Sequence, residues 1–132
     1  MPIMNYKNKL CPCGSGVKYK KCCMVYHKGS NPKDALTLMK SRYSAYAVGD
    51  ANYIIKTTHK NSIHFEENRV EWIKSIKEFS KSDFKKLEII NFYENKNRAY
   101  VEFNAYIDDY IMHEKSIFIN ENGKWFYLQK EE

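Results

Sequence analysis

The residues of this sequence best suited to chemistry are its four cysteines, which lie in one short segment. Cys11 and Cys13 form a C-x-C pair, and Cys22 and Cys23 stand side by side. Structural zinc takes four ligands at the corners of a tetrahedron, and thiolate sulfur suits it. A disulfide between adjacent cysteines would be strained, so the spacing predicts one zinc ion held by all four sulfurs. Since four protein ligands leave no open position, we expect a structural ion rather than a catalytic one.

The residues between the two cysteine pairs favour this interpretation. Gly14–Gly16 permits a sharp turn whose N–H groups can point at sulfur. Lys18, Lys20 and Lys21 favour ionised thiols. A segment this short has no core of its own without a metal. His27 is an alternative ligand, but we expect it to be solvated.

The basic residues are concentrated at the same end of the chain. The net charge is +6, and residues 1–32 contain six lysines and no acidic residue, so the remainder is neutral overall. This asymmetry predicts two parts with different partners. Four thiolates and one Zn²⁺ carry a charge of about −2, which cancels part of the excess. Together with the lack of a full set of stacking aromatics, this disfavours nucleic-acid binding.

Length and hydropathy limit the number of domains and the class of protein. The 132 residues suffice for one compact domain with a small appendage. No run of about 18 apolar residues is present, so no membrane span is expected. The first residues lack the apolar core of a secretory signal, which predicts a cytoplasmic protein with reduced thiols. The Gly-, Ser-, Asn- and Pro-containing link His27–Pro32 predicts a boundary between a cysteine module (residues 1–32) and a second domain (residues 33–132).

Apolar spacing in the second domain predicts three helices. The first ends at Gly49, and Asp50 is placed to cap a second, short helix that runs through Thr57. Asn68 is placed to cap a third helix, which runs to about Phe79.

After the helices the apolar period changes to two, which predicts strands. The clearest apolar face consists of Ala99, Val101, Phe103, Ala105 and Ile107. Asn95–Asn97 and Asn120–Gly123 are typical of hairpin turns. Three helices followed by about four antiparallel strands predict an α+β fold, with the helices on one face of a curved sheet.

The segment Cys11–Cys23 resembles a SEC-C motif, which is named after the zinc-binding tail of the translocation ATPase SecA. In SecA-type tails the ligands fall on the positions of Cys11, Cys13, Cys22 and Cys23. Because that tail engages the export chaperone SecB and ribosomes, the resemblance implies a protein-docking role for the cysteine module.

The resemblance extends along the second domain. The segments Leu38–Tyr46, Asp50–His59, Glu114–Phe118 and Asn122–Tyr127 resemble the YchJ family. That family joins a SEC-C motif to a cone-shaped, cystatin-like domain of the nuclear-transport-factor-2-like (SnoaL-like) superfamily, which implies a cone domain over residues 33–132. Many members carry a second SEC-C motif, whereas this sequence has no cysteine after Cys23.

Arg42 is anomalous within the first helix, because it shares the apolar stripe of Leu38 and Tyr46. A buried guanidinium needs a carboxylate or several carbonyls. Glu114 points inward if Phe118 does, because side chains alternate along a strand. The opposite register turns inward His113, Lys115, Ile117 and Ile119. We favour the Phe118 register, partly because the family resemblance falls on it, and predict that Arg42 and Glu114 meet inside the domain.

These residues define a candidate pocket and two hypotheses. The pocket residues are Arg42, Tyr46, Tyr53, His59, Glu114 and Trp125. We favour a non-enzymatic accessory protein whose module docks a partner, by resemblance an export chaperone or the ribosome, and whose cone is structural or binds a small molecule. The alternative is a small hydrolase or isomerase with Glu114 as base, His59 as acid and Arg42 as anion clamp.

Overall fold

The computed structural model describes residues 6–131, beginning with the cysteine module. The module contains a 3₁₀ turn over Tyr19–Lys21 and a five-residue helix, α1, over Cys23–His27. The sequence pattern assigned no helix there, because five residues are too few to show a period.

Three longer helices follow, as predicted, and each begins at a residue whose side chain accepts a hydrogen bond from the first turn. The helices are α2 (Ala35–Val48), α3 (Ala51–Lys56) and α4 (Arg69–Phe79). Asp50 and Asn68 are the expected N-caps, and Asp34, which the sequence analysis did not single out, caps α2. Gly49 ends α2 with φ 82°, a left-handed conformation that glycine adopts without strain.

Four antiparallel strands form one sheet in the order β1-β2-β3-β4. They are β1 (Phe84–Glu94), β2 (Arg98–Ile107), β3 (Tyr110–Glu121) and β4 (Lys124–Lys130). The turns at Asn95–Asn97 and Asn122–Gly123 are where the sequence predicts them. The turn between β2 and β3 uses Asp108, with φ 54°, and was not predicted.

The inner face of the sheet packs against the helices. All five residues of the predicted β2 face are buried. On β3, Ser116 and Phe118 are buried while His113 is exposed, which confirms the Phe118 register and makes the opposite register wrong. Helix α2 lies between the two parts of the molecule, because it contacts the sheet as well as α1.

None of the helices within residues 6–131 has the length and apolarity required to cross a membrane.

Candidate metal centre and cavity

The four cysteine sulfurs converge on one point. Their Sγ atoms all lie within 4.8 Å of one another, and Cys13 Sγ is 3.7 Å from Cys22 Sγ. A tetrahedral ion with metal–sulfur bonds of about 2.3 Å places its sulfurs about 3.8 Å apart. The cluster can therefore hold a metal ion with little movement.

Backbone hydrogen bonds place these sulfurs. Cys11 N donates to Val17 O at 2.8 Å, which closes the loop between the cysteine pairs. Inside that loop Gly14 and Gly16 have φ values of 86° and 82°, so a side chain at either position would be strained. Cys22 N donates to Tyr19 O at 3.0 Å, which turns the second pair back toward the first.

The electrostatics of the cluster call for a cation. Hydrogen bonding from Cys13 holds the pKa of the Cys11 thiol far below its usual value. Hydrogen bonding to Cys11 raises the pKa of Cys13 to about 11 and raises that of Cys23 still further. Four thiolates this close repel one another, so a full set of ionised sulfurs needs a metal ion to offset that repulsion.

The cluster sits directly on helix α2. Cys11 Sγ lies 3.4 Å from Ser44 Oγ, and Cys23 Sγ lies 3.8 Å from Lys40 O. On the outer side, Ser15 Oγ is 3.2 Å from Cys22 Sγ and can donate to a thiolate. Hydroxyl contacts of this kind orient metal ligands.

His27 links the module to the rest of the molecule, and the expectation that it is solvated is wrong. Its side chain is only 3% exposed. Nε2 donates to Ser41 O at 2.8 Å, while Nδ1 lies 2.6 Å from the hydroxyl of Tyr19. Helix α1 turns the ring toward α2, and the Tyr53 ring of α3 packs against it at a centroid distance of 4.6 Å. This burial lowers the pKa of His27 and favours the neutral imidazole.

A cavity of about 630 Å³ lies between α2, α4 and the inner face of the sheet. Most of its wall is apolar, and Arg42, Tyr46 and Glu114 from the candidate pocket line it. Among the described residues, Tyr53 and Trp125 do not line it: both are buried, and the Tyr53 hydroxyl bonds to Ser41 Oγ at 2.7 Å.

Arg42 does not pair with Glu114, so that prediction is wrong. No ion pair joins the two in the described part of the chain. Arg42 Nη1 instead donates to Ile54 O at 3.1 Å, Thr57 Oγ1 at 2.7 Å and Thr58 Oγ1 at 3.1 Å. These acceptors cluster at the end of α3, where the last carbonyls have no further turn of helix to accept from. The two threonine hydroxyls donate to the α3 carbonyl of Ile54 and accept from Arg42.

Tyr127 on β4 contacts both Arg42 and Glu114. Its ring lies 4.6 Å from the Arg42 guanidinium carbon, a cation–π distance. Its hydroxyl donates to Glu114 Oε2 at 3.3 Å, and Ser116 Oγ donates to the same oxygen at 2.6 Å. Burial, with help from Glu114, raises the pKa of Tyr127, so the phenol stays protonated and acts as a donor.

His59 lies outside the cavity, contrary to the expectation that it joins the pocket. It lines a separate depression of about 540 Å³, where Nε2 lies 2.7 Å from Glu121 Oε2. Asn61 N donates to its Nδ1 at 3.0 Å, so both ring nitrogens are engaged. Glu114 and His59 therefore do not converge as a base and an acid on one substrate.

Comparison with known proteins now places the chain. The family model described as "YchJ, middle NTF2-like domain" matches residues 34–130, and the SEC-C motif matches residues 8–24. This chain belongs to the YchJ family. A UPF0225 protein of Vibrio vulnificus (strain CMCP6) is 41% identical over 125 residues, covering 89% of this chain and 72% of the relative. The UPF0225 protein of Deinococcus radiodurans is 34% identical over 132 residues, covering 94% and 90%.

Two solved structures share the fold. The solution structure of a SEC-C motif containing protein from Rhodopseudomonas palustris has 31% identity and a TM-score of 0.76, covering 92% of this chain and 96% of that one. The crystal structure of a SEC-C motif containing protein from Psychrobacter arcticus has 28% identity and a TM-score of 0.80, covering 96% and 84%. The α+β fold with an N-terminal cysteine module is thereby confirmed.

Sequence reasoning missed several residues of this cavity. Tyr127 and Thr58 both contact Arg42, and His64 stacks on Tyr127 at a centroid distance of 6.2 Å. A bridge between Thr58 and Tyr127 brings the end of α3 onto β4. The available signal was the pair of threonines after a short helix, since hydroxyls at that position can accept hydrogen bonds from a buried donor.

Proposed function

We propose that this protein is a zinc-binding accessory protein whose cysteine module docks an acidic protein or a ribosomal partner, while the cone domain holds the module in place. One observation carries this proposal: the module turns its sulfurs inward against α2 and its charge outward. All six of its lysines are exposed, namely Lys7, Lys9, Lys18, Lys20, Lys21 and Lys28.

Apolar side chains lie among these lysines on the docking surface. Leu10, Val17 and Val25 are 67%, 43% and 42% exposed. Lysine ammonium groups steer an acidic partner, whereas exposed aliphatic groups gain from being covered by a protein surface. A surface of this mixed kind suits an acidic protein better than a nucleic-acid backbone. By resemblance to the SecA tail, the partners to test are the export chaperone SecB and the ribosome.

Zinc is the metal that the ligand set favours. Four thiolates in a near-tetrahedral group match structural zinc sites, and four protein ligands leave no position for a substrate. The ion would hold the module folded and carry out no reaction. Its thiolates require a reducing compartment, which supports a cytoplasmic location.

The test is binding of the zinc-loaded full chain to purified SecB and, separately, to purified 70S ribosomes. The module variant carries Lys18→Glu, Lys20→Glu and Lys21→Glu. The control variant carries Lys74→Glu, Lys77→Glu and Lys85→Glu, which make the same change in net charge on exposed sites outside the module. We expect the module variant to weaken binding about tenfold or more and the control to change it little. Equal weakening by both variants would show that only net charge matters, and absence of binding to either partner would refute these two partners.

A further inference from the structure

The docking function proposed for the cysteine module does not use the cavity between α2, α4 and the sheet. Its volume of about 630 Å³ falls within the range of small-molecule sites, and its wall is largely apolar. Trp72, Ile76 and Phe118 supply part of that wall, and all three are buried. An apolar body of drug-like size would be well covered there.

Arg42 supplies a charge inside this cavity that the protein does not neutralise. The residue is only 7% exposed, and within residues 6–131 it forms no ion pair. All of its hydrogen bonds to described residues start at Nη1. Among the described residues, the Tyr43 hydroxyl is the only fully buried side-chain polar atom that lacks a hydrogen-bond partner. The Nε and Nη2 atoms of Arg42 make no such bond to described residues, so they are not fully buried. The Nε and Nη2 atoms are therefore accessible, and Arg42 lines the cavity.

No other charged residue of the cavity forms an ion pair with Arg42 within residues 6–131. Glu114 is only half-buried and accepts from Ser116 and Tyr127 on Oε2, while the ring of the same tyrosine packs against the guanidinium. His64 and Glu66 line the cavity at exposed positions of the loop between α3 and α4, so solvent screens them. The buried, unneutralised charge is positive, and a ligand that offsets it is an anion.

The loop also provides an entrance. Ile63 lines the cavity and is 71% exposed, so the cavity reaches the surface beside it. A ligand that enters beside this exposed loop can reach Arg42, which is buried.

We propose that the cavity binds a small apolar carboxylate, such as an aromatic or alicyclic acid. The carboxylate accepts two hydrogen bonds from Nε and Nη2 of Arg42, a planar pairing that guanidinium geometry favours. The hydrocarbon body packs against the apolar wall formed by α4 and the sheet. This site is independent of the docking surface on the module.

The test uses 2-naphthoic acid and its neutral isostere 2-naphthamide as probes of the zinc-loaded full chain, with binding measured by calorimetry and by amide chemical shifts. We expect the acid to bind about 10- to 100-fold more tightly than the amide. Arg42→Met should remove this preference while leaving the weak binding of the amide. The matched control is Arg69→Met, because Arg69 is an exposed arginine that lines the neighbouring depression, and it should leave the preference intact.

Two further variants keep the proposal falsifiable if Arg42→Met folds poorly. Arg42→Lys retains the charge but not the two-pronged donor edge, and should reduce the preference for the acid. Ala105→Met places a larger side chain on the buried cavity wall and should weaken both probes. Equal affinity for acid and amide, equal effects of the Arg42 and Arg69 variants, or shift changes confined to residues outside the cavity would each overturn the proposal.

Discussion

The cysteine module and the cone domain are ordered by different means. The module buries little beyond its own cysteines, Tyr19 and Met24, and it completes this cluster with Val48 from α2. The cone domain buries a continuous apolar core between its helices and sheet. The contrast teaches that a segment this short needs a stabiliser such as the proposed zinc ion, whereas a domain of about a hundred residues supplies its own core.

Helix α2 serves both regions, so they are not independent. Ser41 and Ser44 on one side contact His27 and Cys11, while Arg42 and Tyr46 on the other side line the cavity. The free energy of coupling through α2 therefore decides whether the two regions unfold separately or as one cooperative unit.

Metal removal should have the largest effect and tests the contrast directly. Elemental analysis of the purified protein should find one zinc ion per chain. Chelation should expose the amides of residues from about 8 to 28 to hydrogen exchange, because zinc supplies about 10–16 kcal/mol in comparable small metal-folded peptides. The cone should keep a cooperative thermal transition at a lower midpoint, since it loses the contacts made to α2.

The matched control for metal removal is Phe118→Ala in the cone core. Deleting this buried ring should cost about 3–5 kcal/mol of unfolding free energy. Zinc should stay bound wherever the variant is folded. Complete loss of cooperative unfolding on chelation of the unaltered protein would show that the two regions form one unit.

Breaking the His27 link should have the next largest effect. His27→Leu leaves Ser41 O and the Tyr19 hydroxyl without their partner in a buried site, which should cost about 1–3 kcal/mol. Urea unfolding of the zinc-loaded protein, together with hydrogen exchange of the α1 amides, measures the loss. His27→Gln can still donate to Ser41 O and should recover part of it, whereas a His27→Leu protein as stable as the unaltered one would mean that the link does not couple the regions.

The smallest effect concerns how Arg42 is held in the cone. A double-mutant cycle of Arg42→Met with Tyr127→Leu should give a coupling free energy of about 1–2 kcal/mol from the desolvated cation–π contact. The same cycle with Tyr127→Phe should give a much smaller coupling free energy, because phenylalanine keeps the ring that contacts Arg42. Denaturant midpoints provide the measurement, and a larger coupling between Arg42 and Glu114 than between Arg42 and Tyr127 would contradict the arrangement described above.

Much of the fold could be predicted because its signals are local. Asp50 and Asn68 cap helices through bonds to backbone groups three residues away, and Gly49 ends a helix through its own φ. The alternating face of β2 depends on strand geometry alone. The turn at Asp108 was not predicted, because an Asp-Asp pair is a weaker turn signal than Asn-Gly.

The sequence by itself determined the four-cysteine cluster, the helix caps at Asp50 and Asn68 and the inward face of β2, because each follows from spacing within a few residues. Only the tertiary structure decided the surroundings of three polar side chains. His27 is buried because α1 packs on α2, Arg42 finds Thr57 and Thr58 because α3 ends beside it, and His59 meets Glu121 in another depression. A buried polar group needs a partner, but the requirement does not specify which one. That choice depends on how separate elements pack, and no local pattern encodes it.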